Sequence, residues 1–175
     1  MKIKLVKFTE NHIEKLLSWN TTEEFLFQWA GPTYKFPLDR TQLLNDIEKA
    51  TEENPNMYIF AAIDEASTEM VAHIQIISID VVNDYGHVGR FICDPKLVGK
   101  GIGTKVMKEL QKFAFEELKL HKLGLNVFDY NKSAIRCYEK AGFITEGVFR
   151  DSRKINGKYF SLVNMGILDR EYFNK

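Results

Sequence analysis

The loop Val98-Gly99-Lys100-Gly101-Ile102-Gly103 constrains this chain more than any other segment. A β-rich run over 87–93 precedes it and is ended by Asp94-Pro95. After it, Val106, Leu110, Phe113, Ala114 and Leu118 recur at helical spacing, which predicts a helix over about 103–118. Strand, glycine turn and helix in that order make a phosphate-binding arrangement. Glycine lets the backbone turn sharply and approach a ligand closely. The free N–H groups of the first helical turn, with the helix dipole behind them, attract an anion. Residues 98–104 are therefore expected to hold a phosphate, with Lys100 adding a charge-assisted contact or simply standing in solvent.

Two familiar phosphate loops do not fit. A dinucleotide fingerprint counted from Gly99 requires glycine where Thr104 stands, and belongs in an early βαβ unit. A P-loop requires Lys-Ser or Lys-Thr after its last glycine, and Gly103 is followed by Thr104-Lys105. Close helix packing is the remaining use of such glycines.

The rest of the chain reads β-α-α-β-β-β-α-β-α-β-β. Ile3 and Leu5 begin a short strand, and Thr9 starts a helix with Ile13, Leu16 and Leu17 on one face. An aromatic stretch, Phe25-Leu26-Phe27-Gln28-Trp29-Ala30, ends in the breaker Gly31-Pro32. Asp39 and Gln42 are spaced as a capping box for a helix carrying Leu43, Leu44, Ile47 and Ala50. Strand runs cover 57–63 and 70–79, a turn is expected over 83–86, and a further strand covers 123–128. A helix lies between the starters Asn131 and Ser133 and the terminator Gly142. Asn156-Gly157 marks a hairpin. This order predicts an α/β fold with a mixed, largely antiparallel sheet in one domain, 1–175.

Charge narrows the function. Lys+Arg and Asp+Glu both number 24, so the net charge is zero, which argues against a general nucleic-acid or membrane-surface binder. No apolar run approaches a membrane span and the N-terminus has no secretory h-region. Cys93 and Cys137 have no metal-ligand spacing and read as buried thiols in a reducing compartment. The expectation is a cytoplasmic protein without a metal.

Three ordered blocks resemble the GNAT N-acetyltransferases. Gly101 and Gly103 match the family's (Gln/Arg)-x-x-Gly-x-(Gly/Ala) turn, with Val98 departing at its first position. Asn131-Lys132-Ser133-Ala134-Ile135-Arg136-Cys137-Tyr138-Glu139-Lys140-Ala141-Gly142-Phe143 looks like its N-x-x-A-x-x-x-Y-E-K-x-G-F block. Glu146-Gly147 followed by Asn156-Gly157-Lys158-Tyr159 resembles the branch with ribosomal-protein alanine and spermidine/spermine acetyltransferases.

The resemblance implies a central sheet with a splayed strand pair, flanked by helices. It implies acetyl-CoA as cosubstrate, held by Phe91, Ile92 and Cys93 through their backbone, by 98–104 at the pyrophosphate, and by Asn131 at the pantetheine arm. Tyr138 would be the general acid for the departing thiolate. Relatives place a glutamate base where this chain has His87 and Asn126, which leaves His87 as the candidate base. Glu23 and Glu24 would attract a cationic amine between walls that include Phe25, Phe27, Trp29 and Tyr34. The implied reaction is acetyl transfer by direct attack onto a primary amine, whether a protein N-terminus, a polyamine or another small amine. A homodimer is left open. Two rivals stand beside it: a non-catalytic CoA-binding sensor or interaction module, and a nucleotide-binding domain.

Overall fold

The computed structural model describes residues 1–53 and 55–174. Seven strands form one sheet: β1 (Ile3–Lys7), β2 (Met57–Asp64), β3 (Met70–Asp80), β4 (Tyr85–Cys93), β5 (Lys122–Phe128), β6 (Ile144–Ile155) and β7 (Lys158–Leu168). Their order across the sheet is β1-β2-β3-β4-β5-β7-β6. Every neighbouring pair is antiparallel except β4 and β5, which are parallel. The mixed, largely antiparallel sheet expected from the sequence is present.

Helices cover both faces. α1 (Ile13–Leu17), α2 (Glu23–Ala30) and α3 (Arg40–Lys49) precede β2, while α4 (Ile102–Lys112) and α5 (Lys132–Ala141) flank β5. A short α6 (Asp169–Phe173) follows β7. Alternation along β2 decides which face each side chain serves. Ile59 and Ala61 join Ile13, Leu16, Leu26 and Leu43 in one core. Phe60 and Ala62 join Val106, Met107, Leu110 and Phe115 in the other.

Several elements differ in detail from the sequence reading. The aromatic stretch is a helix, α2, capped by Thr22, whose side chain accepts from Phe25 N–H, and it buries Leu26 and Trp29. Asp39 caps α3, but Gln42 does not complete a box. Its amide instead bonds Lys35 N–H and the carbonyls of Lys35 and Pro37, pinning the preceding loop. The turn before β4 covers 81–84, where Asp80 Oδ1 accepts from the N–H groups of Val82 and Asn83. Gly86 belongs to the strand: a Cβ there would lie 2.8 Å from Ile76 Cγ2, so close packing, not turning, requires glycine. The helical pattern reaching Leu118 is α4 followed by a π-turn, Phe113–Glu117. Asn156 (φ 47°) and Gly157 (φ 80°) form the expected two-residue hairpin turn.

Buried polar side chains on β3 sit on the face of the core that holds Phe8 and Trp29. His73 is fully buried, and its Nε2 lies 3.0 Å from Gln75 Nε2. Burial first, then the charges of Arg90 and His12, push its pKa down to about 3 from the ordinary 6.5. The unfolded chain therefore takes up a proton that the folded chain refuses. Stability present above pH 6.5 is expected to fall with decreasing pH, by about 1.4 kcal/mol per unit from this group, until its folded pKa is reached. Urea midpoints measured from pH 7 to 5 test this. The wild-type slope should flatten in His73→Asn, and equal slopes would refute it.

Candidate active site

The site begins where two parallel strands part. β4 and β5 pair from Tyr85↔Lys122 to Val88↔Leu125 and then separate. β4 stays with β3, and β5 stays with β7. The divergence coincides with an extra residue in β4: His73 pairs with Ile92, but Gln75 pairs with Gly89. Two residues, Arg90 and Phe91, thus stand opposite Ile74, and Arg90 takes the left-handed conformation (φ 49°). The result is a cleft of about 780 Å³ between the parted strands, α2, α5 and the glycine loop.

At one end, Asp94 caps a 3₁₀ turn, Pro95–Leu97, and the glycine loop follows. Gly99 (φ 82°) and Gly101 (φ 75°) are left-handed, a conformation costly for other residues. A Cβ on either would meet nothing within 4 Å, so the loop leaves open space in front of α4. No side chain caps α4, whose first N–H groups face that space. Gly103 serves a different purpose. A Cβ there would lie 2.8 Å from Cys137 Sγ, so its absence lets α4 pack closely on α5. The two uses of glycine weighed from the sequence, anion approach and helix packing, are divided between successive residues of one loop.

Of the expected donor-side residues, Phe91, Ile92, Cys93, Val98, Gly99, Gly101, Ile102, Gly103, Thr104 and Asn131 all line the cleft. Lys100 does not; it is exposed beside the loop. Asn131 caps α5, its Oδ1 accepting from Ala134 N–H and Ser133 Oγ, and its amide N–H groups bond no described residue.

Tyr138 lines the cleft from α5, with its ring 6.3 Å from Phe91 and 6.2 Å from Phe143. Burial, reinforced by Cys137 and Cys93, raises its pKa well above the ordinary phenol range. Its hydroxyl keeps its proton and bonds no other described residue. His87 also lines the cleft, with Nδ1 3.0 Å from Tyr85 Oη. Burial lowers its pKa, so at neutral pH the imidazole is uncharged and can accept a proton. Asn126 is tied to Asn164, whose Nδ2 donates to its Oδ1 at 3.0 Å.

The cysteines are half-buried, not fully buried as expected. Burial, then Cys137 and Asp94, push the Cys93 thiol up to about 12, and burial raises Cys137 as well. Neither is a thiolate at neutral pH, so neither is an activated nucleophile.

The acceptor-side expectations need correction. Trp29 lines the cleft, as do Phe25 and Phe27. Tyr34 does not. It is 8% exposed, stacked on Trp29, and its hydroxyl donates to Asp46. Glu24 lines an adjoining shallow depression with Tyr130, Lys158 and Phe160, which shares Phe25 and Gln28 with the cleft. Sequence reasoning missed Arg90, which lines the cleft and is held from behind. Its Nη1 donates to Asp46 Oδ2 at 2.7 Å and to Gln75 Oε1 at 2.8 Å, and its guanidinium lies 4.8 Å from the Tyr34 ring centroid. The β-rich run over 87–93 contained the residue but no signal of these partners. Among the described residues, no cluster of His, Cys, Asp or Glu could hold a metal, and no helix is long and apolar enough to cross a membrane.

Comparison with known proteins agrees with this geometry. The profile of the Acetyltransferase (GNAT) family matches residues 18–143. The chain is 28% identical over 113 residues to spermidine N(1)-acetyltransferase of Vibrio cholerae, covering 65% of each chain. It is 32% identical over 108 residues to the Escherichia coli K12 enzyme of the same name, covering 62% of this chain and 58% of that one. The matched segments thus span less than two thirds of these relatives. In fold the likeness covers 99% of both chains, with a TM-score of 0.86 and 23% identity, to the crystal structure of spermidine N-acetyltransferase from Vibrio cholerae in complex with CoA and spermine.

Proposed function

The chain belongs to the GNAT acetyltransferase family, and from that premise we propose that it moves an acetyl group from acetyl-CoA to a primary amine by direct attack. One observation carries this reading: the parting of β4 from β5 after Val88 and Leu125, with the glycine loop at one end of the gap and Tyr138 in its wall. The open space over Gly99 and Gly101, in front of an uncapped helix, suits a pyrophosphate. The β4 residues Phe91, Ile92 and Cys93 have no strand partner on the β5 side and are free to pair with an extended arm. The unused amide N–H groups of Asn131 suit the same arm.

Acetyl-CoA supplies the activated thioester. The chain's own groups handle the protons. Neutral His87 accepts one from the acceptor's ammonium, directly or through water, freeing the amine to attack, while Asn126 cannot serve as a base. Tyr138 donates its proton at the departing sulfur, which its raised pKa suits because the phenol is fully protonated. Two protonated thiols argue against a covalent acyl-cysteine.

We place the protein in the cytoplasm, where two unpaired thiols persist. β6 leaves one edge unpaired and exposes Ile144, Val148 and Phe149, a surface suited to a second copy. Thiol release from acetyl-CoA in the presence of a panel of amines tests the activity. Turnover with at least one amine is expected. Binding of CoA with no turnover on any amine would instead favour a non-catalytic module.

A further inference from the structure

We propose that the acceptor is a primary amine whose other charged group is anionic, and that Arg153 on β6 selects it; this rests on the acetyl-transfer reading above. The observation is the charge lining the cleft. Among the described residues that form its wall, none is Asp or Glu. Its cations are Arg90, Arg136, Lys140 and Arg153.

Three of these have assigned surroundings. Arg90 is neutralised by Asp46, which lies behind it. Arg136 and Lys140 stand one turn apart on α5, flanking Cys137, whose sulfur abuts Gly103. They belong to the glycine-loop end, where phosphates are expected. Arg153 stands at the other end. It pairs with Phe160, and Phe160 packs on Phe128 and Tyr130. Tyr130 Oη donates to Gln28 on α2, which closes that end of the cleft. Arg153 makes no salt bridge among the described residues, and its Nη1 donates only to Ser152 O.

Glu24, the acidic residue expected from the sequence to attract a polycation, does not line the cleft. Glu24 lies in the neighbouring depression, opposite Lys158. A polyamine entering the cleft would bring further ammonium groups toward an uncompensated arginine with no carboxylate to receive them. Discrimination of this kind works through repulsion as much as attraction. An amine bearing a carboxylate meets the opposite field, and Arg is suited to hold a carboxylate in a two-pronged grip. Relatives are named as spermidine acetyltransferases, and in this chain the described cleft wall offers a polyamine no carboxylate.

The shared chemistry, amine plus carboxylate, can come from a small amino acid or from a peptide N-terminus, and two matched pairs separate these sources. One pair is β-alanine and 1,3-diaminopropane. The other is Ala-Glu-Ala amide and Ala-Lys-Ala amide, with spermidine alongside. The acid-bearing member of at least one pair is expected to have a kcat/KM about tenfold higher at low ionic strength, the scale of reversing one charge from +1 to −1 near a partly exposed site. The preference should shrink in high salt. Arg153→Glu should reverse it. Lys154→Glu makes the same charge change on the same hairpin outside the cleft and should preserve it. A preference in the peptide pair alone identifies an N-terminus as acceptor; in the small pair alone, an amino acid. Faster turnover of spermidine or the diamine, or an unchanged preference in Arg153→Glu, overturns the acceptor assignment and leaves acetyl transfer standing. No thiol release with any amine overturns both.

Discussion

Tyr138→Phe is expected to slow turnover by roughly 10²- to 10⁴-fold, the usual contribution of a positioned acid, while the protein melts normally. The substitution removes one oxygen and leaves the ring packed between Phe91 and Phe143. The lost hydroxyl bonds no other described residue, so no buried partner is stranded. The loss should fall on kcat, because the leaving sulfur needs the proton only as the bond breaks. The readouts are steady-state kinetics beside a thermal melt. Unchanged kcat in a folded variant would remove Tyr138 from the mechanism and return it to the role of a core aromatic. A large fall in melting temperature would show that its hydroxyl is structural.

Asp46→Ala is expected to destabilise the fold by about 3–5 kcal/mol, the usual effect of leaving half of a buried ion pair. Asp46 and Arg90 are each only 10% exposed in their side chains and meet at 2.7 Å. Tyr34 Oη also donates to Asp46, so the substitution leaves that hydroxyl without this acceptor and Arg90 without its counter-charge, with only Gln75 still bonded to Arg90 Nη1. Arg90 sits at the bulge that opens the cleft and holds a left-handed backbone conformation there. Activity should therefore fall along with stability. Urea unfolding measures the first effect. The double variant Asp46→Leu/Arg90→Met should be more stable than Asp46→Leu alone, because removing both charges leaves none unpaired. A loss below about 1 kcal/mol in Asp46→Ala would mean that water or another group already compensates Arg90.

This pair also shows where sequence reading stops. Asp46 lies in a helix whose pattern of Leu43, Leu44 and Ile47 was legible, and its place three residues after Leu43 does not reveal a buried ion pair. Its partners are 12 and 44 residues away along the chain, and no local pattern reports them. The same limit explains Tyr34 and Glu24. Aromatic and acidic residues near α2 suggested walls and an attracting charge, but the direction in which a short helix docks decides which of them face the cleft. Docking turned Trp29 and Phe25 toward it, buried Tyr34 behind it and left Glu24 outside.

Local rules did most for the elements next to the chemistry. Asn131 and Gly142 bound α5 as caps, and Asn156-Gly157 makes the hairpin, because those conformations depend on the residues themselves. The glycine loop lies in the same class: two left-handed residues before an uncapped helix follow from its own letters. The family blocks in the chain were likewise enough to name the acetyltransferase family, since their spacing is a linear property.

The chain's letters were thus enough for the glycine-loop end of the cleft, whose form rests on backbone conformation and a helix terminus. The opposite end of the cleft was settled by tertiary packing alone. The parting of β4 from β5, the clamp on Arg90 and the absence of any carboxylate from the described cleft wall arise from side chains brought together from α2, β4, β5, β6 and β7. Charge summed along the chain is zero, and only folding distributes it, leaving Arg153 in the cleft wall with no salt bridge among the described residues.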